Sequence, residues 1–252
     1  SKNPILTSGQ GFFGFKLNGV PTGPSYWNSI WLMGVNQRDG CQGSSCLEID
    51  IYEMMKPPSQ AGWSWPCPKM SIHDWARGQH GAASGDGCFG LYLDGTAEGT
   101  NKCKGNNIIT SSSSTPSNSW SWPAAQSQIY SGATWYTLIT GTKGNVKVYI
   151  GISLIGWLPS SKADITPDSI IKNSDFLIES PDGSIQGGTE GGFLFSLTST
   201  SVAGNGPPDG SAWNIPCISV IDANGSEPTP SPVPPGPGPT PPGPGPTPPG
   251  PG

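Results

Sequence analysis

The stretch of this sequence best suited to chemistry is Glu48–Glu53, which reads EIDIYE and places three carboxylic acids in an apolar run. Charged residues make up only 12% of the chain, so this density of acids is unusual. Side chains of a β-strand alternate between two faces, which puts Glu48 and Asp50 on one face and Glu53 on the other, with the isoleucines. One extra residue between Asp50 and Glu53, a β-bulge, would return all three carboxylates to one face and keep both isoleucines buried.

The chemistry that such a face supports is nucleophilic and acid–base catalysis at an acetal carbon. With the bulge, Glu48 and Glu53 are about four strand steps apart, or roughly 13 Å between Cα atoms. If the side chains lean together, their carboxyl groups come within about 5–6 Å, the separation found in retaining glycosidases. Glu48 would attack, Glu53 would protonate the leaving oxygen, and Asp50 would push their pKa values apart. The alternative is a solvated acidic strand.

The elements that must position these residues are short strands. Apolar segments alternate with Gly, Pro, Ser and Asn clusters, and helical periodicity is almost absent. Segments at this spacing predict an all-β fold, an antiparallel β-sandwich of the concanavalin-like jelly-roll type. The predicted strands are GFFGFKLNG, YWNSIWLMG, CLEIDIYEMM, KMSIHDWA, CFGLYL, TWYTLITG, NVKVYIGISLI, DFLIES, GGFLFSLTS and CISVIDA.

The chain divides once, near residue 225. Residues 1–224 are predicted to form the β-sandwich domain, and residues 225–252 are rich in Pro, Gly and Thr and predict an extended linker or tail. A linker of this kind would once have tethered another module; a plain disordered or O-glycosylated tail is the alternative. Asn224 begins a glycosylation sequon at the junction.

Composition excludes several classes of function. The net charge of -5 and the 12 scattered Lys and Arg residues disfavour nucleic acid as a partner. No apolar run approaches the roughly 18 residues of a membrane span. Low charge with 37 Gly and 10 Trp favours a secreted protein, whose export signal would have been removed or would lie outside this sequence. The sequence has no dinucleotide-binding fingerprint, no phosphate-binding loop and no GxSxG motif of a nucleophilic serine, so we expect no cofactor. We separately expect a monomer.

Six cysteines, at positions 41, 46, 67, 88, 103 and 217, predict three disulfides, with one or more free thiols as the alternative. Their spacing does not match a zinc site, so no metal is predicted.

The ExDxxE pattern on a strand resembles the active-site signature of glycoside hydrolase family sixteen, the laminarinase- and lichenase-type endo-β-glucanases. The upstream segment FFGFKLNGVPTGPSYWNSIWLMG and the downstream KMSIHDW also resemble this family, although Asn28 stands where the family has Pro. The resemblance spans residues 10–222, with specific matches in 12–75. It implies a β-jelly roll and retaining hydrolysis of a β-1,3- or β-1,3/1,4-glucan, with Glu48 as nucleophile and Glu53 as acid/base. Family seven cellulases are the nearest similar alternative.

Aromatic residues near the triplet suggest a polysaccharide partner, because aromatic rings stack on the C–H faces of sugars. Trp27 and Trp31 lie four residues apart, and Trp75 follows the acids; we predict these three as substrate-binding residues. His73 is predicted to contact substrate or Glu53, with a purely structural histidine as the equal alternative. Two further functions remain open: a non-catalytic carbohydrate-binding or cell-wall protein, and a transglycosylase that uses the same two glutamates.

Overall fold

A computed structural model gives the fold of this chain. The residues that it describes are 3–21, 26–35, 47–56, 68–74, 87–92, 129–141, 145–180, 183, 185, 187–201 and 212–224. All ten predicted strands are present: β1 (Gly11–Leu17), β2 (Tyr26–Gly34), β3 (Leu47–Lys56), β4 (Lys69–Asp74), β5 (Gly87–Tyr92), β6 (Ala133–Thr140), β7 (Lys147–Ser153), β8 (Phe176–Glu179), β9 (Phe193–Ser201) and β10 (Cys217–Asp222).

The strands form two five-stranded sheets. One has the order β10-β1-β6-β7-β8 and the other the order β5-β4-β3-β2-β9. Each described pairing between neighbouring strands is antiparallel. The prediction of an all-β antiparallel sandwich is therefore confirmed.

The main core lies between the two sheets, where every second side chain of a strand points inward. From the second sheet, Ile30, Ile49 and Ile72 are fully buried there. From the first sheet, Trp135 is fully buried and packs edge-on against Tyr52, with ring centroids 5.1 Å apart. Burial of apolar surface at about 25 cal/mol per Å² is the main force that holds the sheets together.

A short helix that the sequence analysis missed covers the outer face of the first sheet. Helix α1 (Pro167–Asn173) begins after Thr166, whose side chain accepts a hydrogen bond from the backbone N–H of Ser169. Ile170 of this helix is buried against Phe12 and Tyr136. Two turns are too short to show a helical period in the sequence, which is why the pattern did not reveal it.

The three-disulfide prediction is wrong, because Cys217 is a free and exposed thiol. It is the first residue of β10, which lies at the edge of its sheet. The other five cysteines lie outside the residues whose side chains the structure describes, as does the tail 225–252, so pairing among them and the domain boundary stay predictions. Within the described part of the chain, no helix is long and apolar enough to cross a membrane.

Candidate active site

The acidic triplet lies on β3, and the predicted bulge is there. Against β4, Asp50 pairs with Ser71 and Glu53 pairs with Lys69, so that the two residues between the acids face one residue of β4. Against β2, the register also shifts within the triplet. Ile51 and Tyr52 are both fully buried as a result. The bulge thus keeps both side chains in the core while Asp50 and Glu53 remain on the outer face.

The register of β4 brings a different side chain to each acid. Lys69 lies opposite Glu53, Ser71 opposite Asp50, and His73 opposite Glu48. Because these β4 residues are spaced by two, all three share the outer face with the acids. The backbone separation of Glu48 and Glu53 is therefore four steps of β4, or roughly 13 Å at about 3.3 Å per residue.

Asp50 lies at the centre of a buried polar network. The hydroxyl of Ser71 donates to Oδ2 of Asp50 at 2.8 Å. Nε2 of His73 is 3.1 Å from the same oxygen and 3.2 Å from Oγ of Ser71. Asp50 and Ser71 are 3% and 0% exposed, so water has little access to either side chain. Hydrogen bonds to a buried charge are stronger than those between neutral groups, which fixes this carboxylate in one orientation.

Glu53 is held at both carboxyl oxygens. The indole N–H of Trp27 donates to Oε1 at 2.8 Å. The ammonium of Lys69 lies 2.8 Å from Oε2, and the side chains of this ion pair are 4% and 8% exposed. The indole N–H uses one lone-pair direction of Oε1, whereas the ammonium is an ion-pair contact that lacks the alignment of a hydrogen bond, so lone-pair directions remain on both oxygens.

The environments of the two buried acids shift their pKa values in opposite directions. Burial raises the pKa of Asp50, but the hydrogen bond and charge of His73, with smaller contributions from Lys69 and Ser71, outweigh it and leave the pKa lowered. Burial and the charge of Asp50 raise the pKa of Glu53 and outweigh the opposing contacts from Lys69 and Trp27. Asp50 is therefore the carboxylate that stays ionised, and Glu53 is the carboxyl that more readily holds a proton.

His73 belongs to the same electrostatic unit. Burial lowers its pKa, but the hydrogen bond and charge of Asp50 and the charge of Glu48 outweigh burial and leave the pKa raised. The protonated imidazole therefore balances part of the negative charge. The histidine holds Asp50 in this arrangement, and contact with a substrate stays a prediction.

Two of the three tryptophans predicted to bind substrate lie in the described part of the chain. Trp27 is 44% exposed and touches Glu53, so its ring is accessible beside the triplet. Trp31 is half-buried and lies opposite Asp50 in the β2–β3 register. Trp75 lies outside the described residues.

Asn28, which stands where the resembling family has Pro, is fully buried. Its amide group donates to the carbonyl of Pro21 and accepts from the hydroxyl of Ser199, so its role is structural.

Lys69 and Ser71 are the site residues that the sequence analysis did not single out. The signal was present in the sequence KMSIH, where Lys69, Ser71 and His73 alternate with apolar residues and therefore share one face of the strand. Reading it required the register between β3 and β4, which is a non-local property.

Glu48, Asp50 and His73 are close enough to be considered as ligands of a cation, since one ligand atom from each lies within 4.8 Å of the others. However, the raised pKa of His73 favours the imidazolium, which has no lone pair for a metal. The cluster suits charge-assisted hydrogen bonding better, and we assign no metal to it.

No protein-family model and no curated protein matches this sequence. Two solved structures are similar in fold. The κ-carrageenase from Pseudoalteromonas carrageenovora, in complex with an oligotetrasaccharide of κ-carrageenan, has a TM-score of 0.36 and 10% identity over 77% of this chain and 52% of the enzyme. A glycoside hydrolase family 16 endo-glucanase from Bacteroides ovatus has a TM-score of 0.28 and 16% identity over 74% of this chain and 65% of the enzyme. The chain thus spans about half the length of the first enzyme. Both comparisons concern the fold, and the chemistry of the site rests on its own residues.

Proposed function

We propose that this protein is a retaining endo-β-glucanase that hydrolyses a β-1,3- or β-1,3/1,4-glucan. The observation that supports the proposal most is the position of three carboxyl groups on one strand, where contacts from β4 lower the pKa of Asp50, while burial and the charge of Asp50 raise that of Glu53. Double displacement requires a carboxyl group that can hold a proton, which is the role proposed for Glu53, and a carboxylate that attacks, which is the role proposed for Glu48.

In the first step of the proposed reaction, a carboxylate oxygen of Glu48 forms a bond to the anomeric carbon. The bond from that carbon to the glycosidic oxygen breaks, and the proton of Glu53 passes to the departing oxygen. In the second step, a water oxygen forms a bond to the same carbon, the ester bond to Glu48 breaks, and a water proton returns to Glu53. Asp50 takes no proton; burial and the fixed negative charge of Asp50 together raise the pKa of Glu53.

The accessible aromatic residues are proposed to bind the glucan. Trp27 is the best placed, because its ring is exposed while its N–H contacts Glu53. Trp31, His73 and Trp75 complete the proposed binding set. Aromatic stacking on a sugar needs no charge, which suits a neutral polysaccharide. Such a substrate occurs outside cells, so we propose a secreted, monomeric enzyme.

The experiment that tests this function is reducing-sugar release from laminarin, lichenan, xyloglucan, agarose and carboxymethyl-cellulose. Wild type is compared with Glu48→Gln and Glu53→Gln, which remove the reactive carboxyls without changing side-chain size. Glu179→Gln is the matched control, because Glu179 lies on β8 in the other sheet, where it forms a partly exposed ion pair with Lys147 at 3.6 Å. We expect activity on one or two polymers, loss of at least about 10³-fold in both site variants, and full activity in the control.

Retention of the anomeric configuration is tested by a separate measurement. The anomeric configuration of the first product, followed by proton NMR, should match that of the substrate bond. In Glu53→Gln, a dinitrophenyl glycoside should still react, because this leaving group needs no acid, and added azide should accelerate turnover. Wild-type activity that survives in Glu48→Gln, or an inverted first product, would contradict the mechanism.

A further inference from the structure

A buried lysine faces the carboxyl group that is proposed as the acid/base. Nζ of Lys69 is 2.8 Å from Oε2 of Glu53, and the lysine side chain is 4% exposed. Lysine is rarely buried to this extent, and removal of its charge from water is unfavourable unless a partner compensates. A glycosidase triplet of three acids does not by itself require a cation at this place.

We propose that Lys69 is a positioning residue for the proposed glycosidase reaction, which fixes the carboxyl of Glu53 and stabilises the negative charge that develops there as its proton leaves. The inference rests on the proposed function. Lys69 acts through Glu53 and forms no bond to the sugar. Its ammonium keeps all its protons throughout both steps.

The geometry fixes Glu53 from two sides. Lys69 approaches Oε2 from β4, and Trp27 approaches Oε1 from β2, so the carboxyl plane is held between the two neighbouring strands. Both contacts use groups that only donate, and neither can take the catalytic proton away. The lone-pair directions that these contacts leave open are available to that proton. In the proposed reaction, the glycosidic oxygen would approach along one of them.

The charges around Glu53 explain why a cation is useful. Among the described residues, the groups that shift the pKa of Glu53 are Asp50 from its own strand, Lys69 from β4 and the neutral Trp27 from β2, and Ser29 lies opposite it on β2. His73 and Glu48 lie opposite each other further along the same face, beyond Asp50. With His73 protonated, the cluster has three acids and two cations, so one proton on Glu53 makes it neutral. When that proton leaves, the new carboxylate has the ammonium of Lys69 at ion-pair distance, 2.8 Å from Oε2.

Lys69→Met, which keeps the length of the side chain without its charge, is the central variant. We expect kcat on the preferred glucan to fall roughly 10- to 100-fold with little change in KM, because the ion pair strengthens only as Glu53 loses its proton. The basic limb of the kcat/KM profile should move to higher pH, since the lysine charge lowers the pKa of Glu53. Lys69→Arg should restore most of both properties. The loss should be small on a dinitrophenyl glycoside, whose departure needs no acid.

The matched control is Lys147→Met, which removes a lysine from the Lys147–Glu179 pair on the other sheet. It should leave kcat, KM and the pH profile unchanged. Circular dichroism and thermal unfolding establish that each variant is folded. If Lys69→Met does not fold, Lys69→Gln gives the same comparison, because it keeps an N–H donor and removes the charge.

A second measurement separates this inference from the proposed function. The carboxyl carbon of Glu53, labelled with carbon-13 and assigned by comparison with Glu53→Gln, is titrated by NMR in wild type, Lys69→Met and Lys69→Arg without any substrate. A higher pKa in Lys69→Met that returns in Lys69→Arg supports the role of Lys69 even if no glucan is hydrolysed, in which case only the glucanase proposal fails. An unchanged pKa of Glu53, or an unchanged basic limb in an active Lys69→Met enzyme, overturns the inference.

Discussion

Replacement of Asp50 by Asn tests the electrostatic centre of the site. Asn has almost the same shape and can still accept a hydrogen bond from Ser71, but it loses the charge that faces His73. Hydrogen bonds to charged groups contribute about 1.5–3 kcal/mol each. Because one such contact is lost, we expect the free energy of unfolding to fall by about 1.5–3 kcal/mol. For a domain of this size, that corresponds to a decrease in Tm of roughly 3–12 °C.

The loss of stability in Asp50→Asn should depend on pH, with a sign that follows from the two pKa shifts. The pKa of Asp50 is lowered from 3.8, so its contribution is present above 3.8 and is lost as the pH falls through the folded value. The pKa of His73 is raised from 6.5, so its contribution is fully present below 6.5 and is lost as the pH rises through the folded value. The difference between wild type and Asp50→Asn should therefore be largest between pH 3.8 and 6.5.

The assay is thermal unfolding of wild type and Asp50→Asn from about pH 3 to about pH 9. Glu179→Gln serves as the comparison, since a partly exposed surface pair contributes only about 0–1 kcal/mol. A deficit that does not change with pH, or that grows above pH 6.5, would refute the assignment of Asp50 and His73 as a buried charged pair.

The same variant has a kinetic consequence. The charge of Asp50 raises the pKa of Glu53, so its removal should lower that pKa and move the basic limb of the kcat/KM profile to lower pH. Loss of the lysine at position 69 should move the limb the opposite way. A general loosening of the site would not move the basic limb in opposite directions in the two variants.

Three further predictions concern other contacts. Trp27→Phe keeps a ring beside the triplet but removes the hydrogen bond to Glu53; we expect roughly a two- to tenfold lower kcat, from the loss of about 0.5–1.5 kcal/mol, with the basic limb at higher pH in a kinetic pH profile. Deletion of Ile51 removes the bulge but leaves Asp50, Tyr52 and Glu53 in regular alternation, so Glu53 should stay on the outer face; circular dichroism should show a folded chain that has lost one buried isoleucine and about 2–5 kcal/mol of stability, whereas Ile51→Val should lose only about 0.5–1.5 kcal/mol. The thiol of Cys217 should react with Ellman's reagent in the native protein without reductant; a protected thiol would contradict its assignment as free and exposed.

The parts of the fold that could be predicted from the sequence are those controlled by local patterns. Apolar segments bounded by Gly, Pro and Asn indicated the strands, because alternation and turn chemistry act over a few residues. The bulge was predictable for the same reason: Ile49, Ile51 and Glu53 cannot share the core face without placing a carboxyl group among apolar side chains. Helix α1 was not, because a helix of two turns leaves no period to detect.

The parts of the site that the sequence did not reveal depend on register. Trp27 was predicted as a sugar platform, but its hydrogen bond to Glu53 follows from the pairing of β2 with β3. Lys69 read as an ordinary lysine at the start of a strand, since lysine is normally a solvated residue. Only the pairing of β4 with β3 shows that it lies opposite the acid and is buried.

The chemistry of the triplet consequently depends on two strands. β3 alone supplies three acids, and acids in equivalent surroundings would titrate alike and repel one another. The outward side chains of β4 make the surroundings unequal: a cation opposite Glu53, a hydroxyl opposite Asp50 and an imidazole opposite Glu48. The imidazole and hydroxyl both bind Asp50, which stays ionised and in turn raises the proton affinity of Glu53. A sandwich that kept the acids but placed apolar residues at positions 69, 71 and 73 would therefore lose the contacts that keep Asp50 ionised, and with the charge of Asp50 one of the two causes that raise the pKa of the proposed acid/base Glu53.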